Sequence, residues 1–223
     1  SPFQRINRKN HMFDSRLRPL IDVPLNAIAR TLSGTGITPN MITGFGFLLG
    51  ILAAVCLALT LDYAALALIL ASRFMDGLDG AVARHAAPRS RHPGAKSQES
   101  DLGGYYDIVS DFLFYSGIIL AFAIGRPEHA LMAAFLIFCF VGTGSSFLAY
   151  AIIAAKQGRS DDQSQGKKSF YFLTGITEGS ETIFVLCLIC VFPAWFDTIS
   201  AIFGALCLMT TFGRVSQARR DFA

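Results

Sequence analysis

The sequence predicts an all-α membrane protein: about six transmembrane helices preceded by an N-terminal amphipathic helix at the interface. Three observations carry that expectation. Of 223 residues, 52% are hydrophobic and 16% are charged, too little polar surface to cover a soluble globule of this size. Apolar runs of roughly 20 residues, the length that crosses a ~30 Å hydrocarbon core, recur at 41–61, 64–84, 103–125, 130–155, 170–193 and 197–214. The basic residues, finally, gather in alternate connections between these runs.

Taken in order, residues 1–14 read as an extension and 15–218 as a single transmembrane domain. The first twenty residues are polar and basic, so no cleavable signal peptide is expected. Over 12–34, Leu17, Leu20, Ile21, Val23, Leu25, Ile28 and Leu32 mix with Arg16, Arg18, Asp22 and Arg30, which suits a helix lying along the cytoplasmic interface. Thr38-Pro39-Asn40 follows a glycine turn; Thr38 or Asn40 can cap a helix and Pro39 fits its first turn, so the first span starts there. The connection 85–101 is polar and broken by Pro88 and Pro93, and with 157–167 it reads as a loop. No internal repeat and no soluble domain is visible.

Of 19 Lys and Arg residues, only Arg73 and Arg126 fall outside the N-terminal region, the 84–101 and 156–168 connections and the C-terminal tail. By the positive-inside rule, an even number of spans with both termini cytoplasmic satisfies this distribution, as in a multi-pass protein of a bacterial inner membrane. The net charge of +3 then reflects topology and attraction to anionic headgroups, not a nucleic-acid partner. Cys56, Cys139, Cys187, Cys190 and Cys207 all sit in apolar segments, where a thiol behaves as a small hydrophobe. Cys187-x-x-Cys190 has the spacing of a redox pair, but packing is its expected role. His85, His92 and His129 fall in loops and are assigned no role.

Four aspartates interrupt this apolar chain: Asp76, Asp79, Asp107 and Asp111. The first pair is three residues apart and the second four, so each pair shares a helical face, and the two faces are free to converge. Carboxylates crowded in that way stay ionised only if cations neutralise them, and hard oxygen ligands select Mg²⁺, Mn²⁺ or Ca²⁺ over zinc or copper. Two divalent ions balance four charges. Gly77, Gly80, Gly103 and Gly104 leave room for a ligand to approach backbone, and Arg84 can hold a phosphate with a forked pair of donors. Metals, a phosphate-holding arginine and glycine clearance point to phosphoryl-type chemistry on a lipid-linked substrate. The bland alternative is that buried Asp and Arg bridge helices and the glycines only let them pack closely.

The string resembles the signature of the CDP-alcohol phosphatidyltransferase (CDP-alcohol phosphotransferase) family: D-x-x-D-G-x-x-A-R, a spacer, then G-x-x-x-D-x-x-x-D. Asp76, Asp79, Gly80, Ala83, Arg84, Gly103, Asp107 and Asp111 occupy its fixed positions, and the likeness covers most of residues 15–215. The resemblance implies a six-helix homodimer that transfers a phosphatidyl group from CDP-diacylglycerol to a small polar alcohol and releases CMP. It implies a two-metal Mg²⁺ or Mn²⁺ centre held by Asp76, Asp79, Asp107 and Asp111, with Asp111 also the catalytic base. It implies a CDP pocket of Asp76, Asp79, Gly80, Ala83, Arg84 and Gly103. Eighteen residues separate Arg84 from Gly103, a longer spacer than the family's usual one, which bears on how the nucleotide is covered and not on the metal site.

For the acceptor, Lys167, Lys168 and Ser169 before the fifth span and Arg214 at the end of the sixth suggest a cationic pocket for a phosphorylated alcohol; positive-inside anchoring explains them equally well. Glu178 and Glu181, two carboxylates three apart in an apolar segment, need partners, whether acceptor hydroxyls, an amine or Arg73. Lys168, Glu178 and Arg214 are therefore the acceptor-binding candidates. Glycerol 3-phosphate suits the basic residues, with inositol phosphate, serine, choline or another polyol as alternatives. Gly142-Thr143-Gly144-Ser145-Ser146 reads as a helix-packing stripe. Two other classes compete: a cation- or proton-coupled transporter, weakened by the missing repeat, and a catalytically silent scaffold. Aspartates near the cytoplasmic boundary favour the transferase, whereas aspartates at the midplane favour transport.

Overall fold

The computed structural model describes residues 27–31, 38–86, 98–157, 177 and 179–222, and among these every regular element is helical. Six long helices follow in order: α1 (Pro39–Ala58), α2 (Asp62–Ala86), α3 (Gln98–Gly125), α4 (Ala130–Lys156), α5 (Gly179–Val191) and α6 (Phe196–Phe222). Short 3₁₀ turns at Pro127–His129 and Pro193–Trp195 join α3 to α4 and α5 to α6. The chain is an all-α membrane protein. Helices α1, α3, α4 and α6 each contain an apolar stretch long enough to cross a bilayer. Helix α2 has the length, at 25 residues, but its second half carries Arg73, Asp76, Asp79 and Arg84. Of the expected 170–193 span, α5 accounts for 13 residues. Of the expected interfacial helix, residues 27–31 are helical and the rest lies outside the described residues.

Exposure is inverted relative to a soluble protein: Leu131 is 85% exposed, Phe212 69% and Ile152 68%. Large apolar side chains facing outward on long helices suit acyl chains, not water.

The described residues fall into two compact units, one of residues 27–31, 38–46 and 72–86, the other of 47–71, 98–157, 177 and 179–222. In the first unit, Ile42 of α1 packs with Leu78, Ala81 and Val82 of α2 and with Ala29. A side chain at Gly46 would lie 3.1 Å from Met75 Cβ, so the glycine is what allows α1 and α2 to touch here. Ser72 Oγ donates to the Gly46 carbonyl at 2.8 Å and reinforces the crossing.

In the second unit, Leu57, Ile69, Ile118, Phe122, Leu136, Leu186, Ile189 and Phe196 form the core, and the Phe122 and Phe196 rings stack with centroids 4.1 Å apart. The Gly142–Ser146 stripe packs helices: the Phe112 ring occupies the notch at Gly144, and Thr211 of α6 faces Gly142. Gly204 likewise receives the Phe135 ring. Within a lipid phase, such small-residue notches supply the contact area that hydrophobicity cannot. The five cysteines form no disulfide, and Cys139, Cys190 and Cys207 are buried.

Among the described residues, the boundaries at the end of α1, the start of α3 and the end of α6 differ most from the sequence expectation. Helix α1 ends at Ala58 instead of 61 because Thr60 takes a left-handed conformation (φ 60°). Leu61 N–H then bonds the Cys56 carbonyl at 2.8 Å and Thr60 N–H the Leu57 carbonyl at 3.0 Å, a Schellman closure. Helix α3 begins at Gln98, five residues before the apolar run, which shortens the expected 85–101 loop. Helix α6 continues to Phe222 instead of stopping at 214. Its polar end is held by α4: Tyr150 Oη donates to Asp221 Oδ2 at 2.7 Å, and the Tyr150 and Phe222 rings meet at 4.9 Å.

Candidate active site

Asp76 and Asp79 lie in the second half of α2 on one face, while Leu78 and Val82 on the other side are buried against Ile42. Asp76 Oδ2 stands 3.6 Å from Arg73 Nη1, with the Asp76 side chain 39% exposed and that of Arg73 14%. Arg73, considered above as a partner for Glu178 and Glu181, is thus paired along its own helix. Asp79 Oδ2 accepts a hydrogen bond from Thr43 Oγ1 of α1 at 2.5 Å. Gly80 follows directly, and the backbone of Ala83 and Arg84 continues α2 toward Ala86.

Asp107 and Asp111 belong to the second unit, four residues apart on α3. Asp107 immediately precedes the apolar stretch Ile108–Gly125 and Asp111 falls in its first turn. Asp111 is partly buried. For Gly103 and Asp107 the structure describes the backbone, in the first half of the same helix.

Among the described residues no three His, Cys, Asp or Glu side chains gather as a metal cluster; the Asp107 side chain is not among them. The donor chemistry fits a hard cation all the same. Asp76 and Asp79 supply carboxylate oxygens, the hard donors such a cation takes, from one helix face.

Of the acceptor candidates, Lys168 and Glu178 lie outside the described residues. Arg214 on α6 is 8% exposed, donates from Nη1 to the Thr143 carbonyl at 2.9 Å and sits 5.4 Å from the Phe147 ring centroid. It borders a largely apolar cleft of about 390 Å³ between α4 and α6, whose polar members include Ser146, Tyr150 and Arg219. Glu181, in the first turn of α5, accepts from Ser180 Oγ at 3.1 Å.

Sequence reasoning missed Thr43. A hydroxyl in an apolar span, one turn beyond Thr38-Pro39-Asn40, was the available signal, but nothing in the linear pattern pairs residue 43 with residue 79.

These helices define an integral membrane protein. Residues 36–213 match the family model for CDP-alcohol phosphatidyltransferase, and the chain belongs to that family. Membership carries the class of chemistry with it: a transferase of phospholipid biosynthesis that moves a phosphatidyl group from a CDP-alcohol. The chain is 47% identical to inner membrane protein YnjF of Escherichia coli over 205 residues, 92% of this chain and 94% of that protein. It is 35% identical to archaetidylinositol phosphate synthase of Pyrococcus horikoshii over 111 residues, 50% of this chain and 54% of that protein. No solved structure matches the chain.

Proposed function

We propose that this protein transfers the phosphatidyl group of CDP-diacylglycerol to the hydroxyl of a small phosphorylated alcohol, glycerol 3-phosphate in the first instance, and releases CMP. The observation that carries the reading is the complete set Asp76, Asp79, Gly80, Ala83, Arg84, Gly103, Asp107 and Asp111 inside a family match over 36–213. As the family signature implies, Asp76, Asp79, Asp107 and Asp111 would hold two Mg²⁺ or Mn²⁺ ions. Bound there, divalent metal supplies neutralisation of the diphosphate charge as CMP departs. Asp111 accepts the proton of the acceptor hydroxyl. The acceptor oxygen then bonds to the phosphatidyl phosphorus as the bond from that phosphorus to the CMP oxygen breaks. Gly80, Ala83 and Gly103 leave space for the nucleotide, and Arg84 grips a phosphate oxygen pair. The acyl chains stay in the bilayer.

For the acceptor, Arg214 beside the α4–α6 cleft, with Lys168, supports a phosphate-bearing alcohol; Glu178 would bind its hydroxyls. Inositol phosphate is the alternative, supported by the name of the Pyrococcus relative; serine, choline and uncharged polyols follow. The reading takes residues 15–218 as one functional domain, working as a homodimer in a bacterial inner membrane. The YnjF relative supports the membrane, and the basic residues support cytoplasmic termini and active site.

The test is CMP release by purified protein given CDP-diacylglycerol and Mg²⁺ or Mn²⁺ against a panel of alcohols. One acceptor should drive metal-dependent release that Asp111→Asn abolishes. Failure of every acceptor, with CDP-diacylglycerol not even bound, would remove the transferase reading.

A further inference from the structure

The Asp79 carboxylate has a partner that the signature does not contain. Thr43 Oγ1 donates to Asp79 Oδ2 at 2.5 Å between two partly buried side chains, the short length of a charge-assisted O–H···O bond. The packing one turn away builds this contact. Gly46 lies three residues beyond Thr43, and a Cβ there would meet Met75 Cβ at 3.1 Å and the Ser72 carbonyl at 3.4 Å. Ser72, two helical turns before Asp79, clasps the Gly46 carbonyl with its hydroxyl at 2.8 Å. The glycine crossing therefore brings α1 close enough for a side chain as short as threonine to reach the carboxylate. Threonine also has few χ1 choices in a helix, so little rotamer freedom is lost in aiming the hydroxyl.

We propose that Thr43 is a positioning residue for the metal site: its hydroxyl fixes the orientation in which the Asp79 carboxylate would meet a divalent cation, and Gly46 sets the helix separation that keeps the bond short. The inference rests on the metal reading of Asp79 proposed above. A carboxylate already oriented by a hydrogen bond gives up less freedom when it ligates, and removing such a supporting partner weakens metal binding by about 10- to 100-fold. Valine at 43 keeps the shape and deletes the donor. Serine keeps the donor.

The experiment titrates Mn²⁺ into the protein in lipid nanodiscs with CDP in solution and no alcohol acceptor, reading bound ion by the loss of the free Mn²⁺ EPR signal. Thr43→Val should weaken binding by about tenfold or more, while Thr43→Ser stays close to the parent and Asp79→Asn loses the site. If Thr43→Val binds Mn²⁺ as the parent does while Asp79→Asn does not, the positioning role is wrong and the metal reading stands. Equal weakening by Val and Ser also overturns the role, because it assigns the effect to packing and not to the hydroxyl. If Asp79→Asn itself binds normally, the metal reading fails and this inference with it.

Discussion

Arg126 Nη2 lies 2.7 Å from Asp62 Oδ2, joining the residue that opens α2 to the turn that closes α3. Both side chains are largely buried, 15% and 14% exposed, and the guanidinium lies 4.5 Å from the Phe122 ring centroid. Asp62 Oδ1 and Arg126 Nη1 are buried with no hydrogen-bond partner among the described residues. The pair therefore bears its desolvation on two contacts. Removing one partner strands the other charge, so Arg126→Met should cost about 3 kcal/mol, read as a lower thermal midpoint in nanodiscs. Asp62→Asn combined with Arg126→Met should recover part of that loss; additive losses would mean that the two residues act independently.

Gly125 is the neighbouring constraint. A Cβ there would come within 2.7 Å of the Leu57 carbonyl oxygen and 2.8 Å of that of Ala58, and backbone cannot yield as a side-chain tip can. Gly125→Ala should therefore destabilise by about 1–3 kcal/mol. Gly117, on the same helix, has nothing within 4 Å of its would-be Cβ, so Gly117→Ala should be neutral or stabilise by up to about 1 kcal/mol. Equal midpoints for the two variants would contradict the close approach.

Thr60 supplies a prediction of the opposite sign. A β-branched residue at φ 60° pays for a conformation that glycine adopts at no steric cost. Thr60→Gly should raise stability by about 1 kcal/mol, the relief exceeding the added freedom of the unfolded chain. A lower thermal midpoint for that variant would count against the left-handed closure.

The Tyr150 to Asp221 bond predicts a local effect. Tyr150→Phe keeps the ring against Phe222 and removes a hydrogen bond to a carboxylate, which costs about 1–2 kcal/mol. Asp221 retains Gln217 Nε2 at 2.9 Å, so the end of α6 should loosen without melting. Hydrogen exchange should quicken over residues 217–222 and stay unchanged through the α6 segment before Arg214; uniform acceleration along α6 would reassign the tyrosine to global stability.

Burial of the apolar spans and the cost of carboxylates in lipid are properties of composition, so helix existence, the approximate span positions and the Asp76 to Asp111 signature were legible from residue order. Helix ends were less so. Residues 215–222 carry Gln217, Arg219, Arg220 and Asp221 and lack the apolar run that marked the rest of α6; they are helical because Tyr150 and Phe222 hold them to α4. Thr60 ended α1 early by a backbone conformation that no propensity rule assigns to threonine.

Sequence alone determined the class of protein, because hydropathy and a local aspartate pattern are linear quantities that need no partner. It could not assign faces. A helix such as α1, apolar almost all round, has little amphipathic asymmetry to show which side meets a neighbour. Tertiary structure decided that Thr43 bonds Asp79, 36 positions away, that Gly125 abuts the Leu57 carbonyl and that Arg126 pairs with Asp62, because each depends on how closely two backbones approach.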